Sequence, residues 1–219
     1  CMVAPGDVVV TGMDDTAVSP TYWSAGSTHL AMPQVLGATT LVWEAFPDLS
    51  GAQVRQILLG TATDLGGPGV DEVFGHGLLN VAKAVKGPAR FDWGDMTVAI
   101  PGVLQKWTWS NDISGDGGLV KLGGGELTLS GQNTYERPTR VEGGTLTLTG
   151  TVASDVVIAR PSFIDPNVFH LAGGTVHGDV DNSSYVLKSG AATIDGDYTQ
   201  RAFGVLRTSL GEPALHVTG

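Results

Sequence analysis

Apolar residues recur along the chain with two different periods, and the change falls near residue 89. Before it the pattern is α/β. Met2 to Val10 reads as the end of one strand, a turn and another strand. From Pro33 to Ala45, the residues Val35, Leu36, Ala38, Leu41, Val42 and Ala45 fit one broad face at helical spacing. Pro33 suits a first turn, where its missing N–H has no partner to lose, and Pro47 ends the segment. Ser50 and Gln53 form an S-x-x-Q capping box that predicts a second helix through Val54, Ile57 and Leu58, with Gly60 as its C-terminal cap. Leu78 to Val85 predicts a short third helix, ended by Gly87-Pro88.

Beyond residue 89 the helical spacing disappears, and short alternating strands stand between Gly-containing turns. Gly124-Gly125-Glu126-Leu127-Thr128-Leu129-Ser130-Gly131 returns after 19 residues as Gly143-Gly144-Thr145-Leu146-Thr147-Leu148-Thr149-Gly150. Looser echoes start at Gly173 and Gly196. A period of about 20 residues with one clear strand per unit suits the coil of a solenoid. In that arrangement the leucines of each L-T-L stack inward, while the threonines and Glu126 face water. Each coil needs neighbours to cover its apolar face. A β-sandwich with two similar hairpins is the alternative.

Composition narrows the function classes. The chain of 219 residues is 42% hydrophobic and only 16% charged, too apolar for a disordered segment. Its apolar stretches are too short to span a bilayer as helices. The 32 glycines show no collagen-like triplet and point to many turns. A formal net charge of -10, with 12 Lys and Arg, argues against nucleic acid as a partner. Cys1 stands alone, which excludes an internal disulfide and a cysteine-based metal site. The sequence opens as if in the middle of a domain, so an upstream portion carrying any export signal is expected.

Three segments of the first half resemble the C-terminal portion of subtilisin-like serine proteases. Val3-Ala4-Pro5-Gly6 is similar to that family's A-P-G turn. Gly26 to Gly37 is similar to the nucleophile motif G-T-S-x-A-x-P-x-V-x-G. Phe74 to Val85 is similar to the segment that closes many such domains. The second half resembles the passenger stem of autotransporters, through Trp107 to Gly123, the repeated L-T-L units with Asn133-Thr134-Tyr135 between them, and the tail from Gly196 to Gly219. The resemblance implies a partial subtilase-like α/β part over residues 1–88, a linker with a first β segment over 89–106, and an all-β right-handed parallel β-helix over 107–219. It also implies protein or peptide substrates, a protease portion upstream, an outer-membrane β-barrel downstream, and a place outside the cell or on its surface. A noncatalytic, adhesin-like module is the other functional class. The stem, residues 107–219, is expected to fold by itself, and residues 1–86 to need a partner, since a sheet cut short exposes apolar edges.

Subtilisin-type catalysis needs a serine hydroxyl, a histidine that takes its proton and an aspartate that orients the histidine. The resemblance puts the Asp and His segments upstream. Counted back from Pro33 without a gap, His29 occupies the nucleophile position, with Thr28 and Ser27 before it. A one-residue insertion instead places Thr28 there, and Ser27 is a third, displaced position. An imidazole cannot replace the acyl-forming hydroxyl, so the motif reads as inactive as written, and so does the isolated chain.

No cofactor is expected. Calcium in the parent protease would draw on acidic pairs such as Asp14-Asp15 and Asp71-Glu72, although a solvated turn explains both. His76, between two glycines, reads as structural, and His170, His177 and His216 lack ligand spacing. Gly115-Asp116-Gly117-Gly118 occurs once and is no calcium-repeat array, and Gly123-Gly124-Gly125 is no phosphate loop. Trp107 and Trp109 share a strand face, where they cap the first coil or form a carbohydrate platform.

Overall fold

The fold was read from a computed structural model that describes residues 1–12, 16, 20–160, 166–209 and 211–219. A two-stranded antiparallel hairpin, β1 (Asp7–Thr11) and β2 (Tyr22–Gly26), leads into helix α1 (Thr28–Ala45). Helix α2 (Gly51–Gly60) and the single turn α3 (Val81–Ala84) follow.

The helix boundaries show what capping decides. The α1 helix starts at Thr28, earlier than the expected Pro33, because the Ser27 side chain accepts the His29 N–H and closes the first turn there. Pro33 therefore lies inside the helix rather than in its first turn. The Ser50–Gln53 capping box forms as expected, with both reciprocal bonds present. The α2 helix runs through Gly60 and is capped by Thr61, one residue later than expected. The predicted third helix shrinks to four residues because Asn80 caps it by accepting the Lys83 N–H.

The chain then winds into parallel coils. The first holds β3 (Met96–Ala99) and β4 (Lys106–Trp109), β3 lying inside the segment read as a linker with a first β segment. The second holds β5 (Leu119–Leu122), β6 (Glu126–Leu129) and β7 (Gln132–Asn133). The third holds β8 (Thr139–Val141), β9 (Thr145–Leu148) and β10 (Thr151–Val152). The fourth holds β11 (Val156–Ile158), β12 (Val168–Ala172) and β13 (Thr175–Val176). The fifth holds β14 (Val180–Asn182), β15 (Tyr185–Ser189) and β16 (Thr193–Ile194). The sixth holds β17 (Tyr198–Gln200), β18 (Val205–Thr208) and β19 (His216–Val217). Corresponding strands form three parallel sheets, of six, six and five strands, one along each side of the solenoid.

The 19-residue repeat stacks in register: Leu127 on Leu146 and Leu129 on Leu148, all buried. The looser echo at Gly173 does not join this column. Thr175-Val176 pairs with Thr151-Val152 on another side, so this glycine pair precedes β13 as Gly150 precedes β10. Thr147 is also buried, against expectation, since its hydroxyl donates to Glu126 Oε1 at 2.7 Å.

One hydrophobic core runs from Ala38 in α1 to Ile194 in the fifth coil. At the junction the C-cap residue of α1, Phe46, meets Trp107 and Trp109 edge-on, with centroids 5.5 and 6.5 Å apart. Polar bonds reinforce the contact. The Gln53 amide donates to Thr97 O at 2.5 Å, Gln105 to Asp48 Oδ2 at 2.7 Å, and Asn111 to Lys83 O and Gly87 O at 2.9 and 2.7 Å. Trp107 and Trp109 are therefore interior residues under the helices, which leaves no open aromatic platform on that strand face.

Candidate active site

The hairpin and the start of α1 bring the three candidate residues together. Asp7 pairs with Gly26, and the Ser27 N–H donates to Gly6 O at 2.9 Å, which closes the Ala4-Pro5-Gly6 turn against the helix entrance. Ser27 is extended, with φ -165 and ψ 147, and sits at the N-cap. Its Oγ accepts from the His29 N–H at 3.2 Å and lies 3.3 Å from His29 Nδ1. Thr28 is the first helical residue, and Ser27, Thr28 and His29 are all exposed.

This geometry can present a hydroxyl beside an imidazole at the positive end of an 18-residue helix, which favours developing negative charge. It lacks an orienting group. Among the described residues, no carboxylate is hydrogen-bonded to His29. The Ser27 hydroxyl is also committed to the cap. Gln34 was missed from sequence. Its Nε2 donates to Pro5 O at 2.7 Å and fastens the second turn of α1 to the same Pro5-Gly6 turn. Its only signal was its place directly after Pro33 within the nucleophile motif.

The remaining candidates stay apart. His76 lies between Gly75 and Gly77, which have φ +61 and +102, and its N–H donates to Cys1 O at 2.9 Å. Its ring tilts against Trp93 at 5.7 Å, and burial is the main cause holding its pKa below the ordinary value. It borders a cavity of about 310 Å³ between the helices and the first coil, with Lys83, Arg90 and Asp92 on the wall. His170 bonds Ser189 Oγ at 2.8 Å and His177 pairs with Asp195 at 2.5 Å, each joining the fourth coil to the fifth along a different side of the solenoid. Asp71 Oδ1 accepts the N–H groups of Val73 and Phe74, both at 2.7 Å, as a turn residue does. Asp14-Asp15 lies outside the described residues. Among the described residues, no three acidic, His or Cys side chains converge to hold a metal ion.

Comparison with known proteins divides the chain as its periodicity does. Residues 1–77 match the subtilase family, and residues 119–151 match the passenger-associated-transport-repeat. The Neisserial autotransporter lipoprotein NalP of Neisseria meningitidis serogroup B is 38% identical over 182 residues, covering 82% of this chain and 16% of that protein. An extracellular serine protease of Serratia marcescens is 34% identical over 206 residues, 77% of this chain and 20% of that protein. The serotype-specific antigen 1 of Mannheimia haemolytica is 37% identical over 153 residues, 68% of this chain and 16% of that protein. The chain thus spans only 16 to 20% of the length of these relatives.

Proposed function

Because the chain belongs to the subtilisin-like serine protease autotransporter passengers, we propose that it is the junction of a secreted or surface endopeptidase. On this reading residues 1–88 supply the nucleophile-bearing helix, and the solenoid presents the protease outside the cell and supports its folding. The base and its orienting carboxylate come from the portion upstream, so the 219-residue chain by itself does not cleave peptides. Substrates are proteins or peptides, and an outer-membrane barrel follows the stem.

A single observation supports this reading most strongly. The α1 helix carries the candidate nucleophile positions at its first turn and Phe46, seated on Trp107 and Trp109, at its last. A helix of 18 residues spans about 27 Å. The first coil therefore anchors the far end of the same rod whose near end holds the site.

A second reading is favoured by one residue. His29 stands where the ungapped motif calls for the nucleophile, which suits a noncatalytic surface module that keeps a protease remnant. Labelling with a fluorophosphonate serine-hydrolase probe separates the two, using the chain with and without its native upstream sequence. Labelling of the longer chain alone supports the endopeptidase. No labelling of either supports the noncatalytic module.

A further inference from the structure

The segment after α3 folds beside the C-terminal end of α2. The Phe91 N–H donates to Ser114 O at 2.8 Å and the Ser114 N–H to Ala89 O at 3.1 Å, so residues 89–91 run extended along the first coil. Alternation turns Ala89 and Phe91 inward, where both are buried, and leaves Arg90 exposed. Gly60, the last residue of α2, makes room beside it: a β-carbon on Gly60 would fall 3.2 Å from Arg90 Cβ. Arg90 thus stands between α2 and the coil, on the wall of the cavity of about 310 Å³.

The acids on that wall are committed to protein groups. Asp92 Oδ2 accepts Arg90 Nε, Asp64 Oδ2 the Gly69 N–H at 2.8 Å, and Asp112 Oδ1 the Gln132 N–H at 2.7 Å. The cations keep spare capacity. Arg90 engages Asp92 through Nε, which leaves its Nη1 and Nη2 donors, and among the described residues no carboxylate pairs with Lys83. Leu59, Ala62, Val70 and Ala89 give the cavity an apolar side. Arg90, Asp92 and Ser114 also line an adjoining groove of about 490 Å³. That groove adds Asp116 and Glu136, and neither pairs with a cation among the described residues. Two neighbouring hollows of opposite spare charge therefore share one wall.

We propose that the cavity and the groove together bind the C-terminal end of a peptide. The terminal carboxylate is held by Arg90 and Lys83, and the last side chain is apolar and lies on the Leu59 and Ala89 side. A basic side chain on the residue before it lies over Asp116 and Glu136. A carboxylate suits the cavity better than a phosphate does. A monoanion gains both cations, whereas a dianion meets stronger repulsion from Asp92 and Asp112 and brings nothing for the apolar side. None of the lining residues belongs to α1 or to the hairpin, so the site is independent of any chemistry at Ser27, Thr28 or His29.

The test is fluorescence anisotropy with the fluorescein-labelled peptide Gly-Ala-Lys-Leu, titrated with the 219-residue chain and with the same chain carrying its native upstream sequence. Binding is expected to both. Amidation of the peptide's carboxylate should weaken it at least about 10-fold, and so should Arg90→Gln and Lys83→Met. The comparison of acid with amide uses one unaltered protein, so a folding defect cannot imitate it. Exchange of the peptide's lysine for glutamate should weaken binding about 5-fold, and Asp116→Asn with Glu136→Gln should erase that difference while the preference for the free acid remains. Equal affinity for acid and amide, unchanged affinity in Arg90→Gln, or displacement of the peptide by an equal concentration of inorganic phosphate overturns the proposal. Binding to the 219-residue chain that is lost with the upstream sequence restored also overturns it, since the site is then filled by the chain itself.

Discussion

The backbone of Gly87 lies so close to the indole of Trp109 that a β-carbon there would fall 2.5 Å from Cδ1. Gly87 also has φ +101, a conformation that side-chain-bearing residues rarely adopt. Gly87→Ala therefore combines backbone strain with overpacking and is expected to cost about 2–4 kcal/mol in all. Gly94 has φ +90 but open space around its missing side chain, so Gly94→Ala should cost only about 1–2 kcal/mol. Urea unfolding of the two variants checks the difference. Equal losses would show that the approach to Trp109 carries no penalty.

Phe46 is the hinge-pin between the helices and the solenoid. Phe46→Ala removes a fully packed ring and should cost about 3–5 kcal/mol. The loss falls on one side of the junction, because the coils keep their own ladders while α1 has few other buried residues, Ala38 and Val42. Far-UV circular dichroism should then show helix signal melting before strand signal. A single transition shifted as a whole would mean that the helices and coils are inseparable.

The parts of the fold that were legible in the sequence were those in which one local device decides the outcome. The 19-residue repeat stacked in register because its glycine turns and L-T-L strands have equal length in both coils. The Ser50–Gln53 box formed because both partners lie within one turn. The start of α1 differs from the expected Pro33 because Ser27, held by its N–H to Gly6 O some 20 residues earlier in sequence, caps a helix that begins five residues before Pro33, and apolar periodicity does not mark that start. Lys121 shows a different limit. In Leu119-Val120-Lys121-Leu122 the apolar majority does not reveal the phase, and the strand turns Leu119 and Lys121 inward. The candidate site was legible as a motif and opaque as chemistry, since the motif puts an imidazole where the acyl-forming hydroxyl is called for and carries no carboxylate to orient it.

Buried Lys121 should make stability depend on pH. Its Nζ donates to the carbonyls of Leu122, Gly123 and Gly143 at 2.9, 3.1 and 3.0 Å, yet burial lowers its pKa from 10.5 to about 8. The unfolded chain holds this proton up to the ordinary value, so between about pH 8 and 10.5 it binds more protons than the folded chain. Stability should rise with pH across that window, by at most about 3 kcal/mol, and stay flat with respect to this group below it. Buried Tyr135, whose pKa is raised mainly by burial, opposes the trend above about pH 10, where the unfolded tyrosine ionises. The clean range is therefore pH 8 to 10. Lys121→Met should abolish the rise there. A rise that survives the substitution would assign it to another group.

Ser27 has two separable roles, as a cap and as a hydroxyl. As the N-cap of α1, its Oγ holds the His29 N–H at 3.2 Å. Ser27→Ala should cost about 1 kcal/mol, whereas Ser27→Asp, which caps as well, should be nearly neutral. Chemistry is read separately, in the chain that carries its native upstream sequence. If position 29 is the nucleophile position, His29→Ser should create labelling by a fluorophosphonate probe, and the double variant Ser27→Asp with His29→Ser should keep it, because the cap survives and the acyl-forming hydroxyl sits at 29. If Ser27 is the displaced nucleophile, the unaltered longer chain should label already, and Ser27→Asp should abolish that labelling despite an intact helix. The stability pair shows whether the helix start is preserved. The labelling pair then assigns the hydroxyl, so a folding defect cannot be mistaken for a catalytic one.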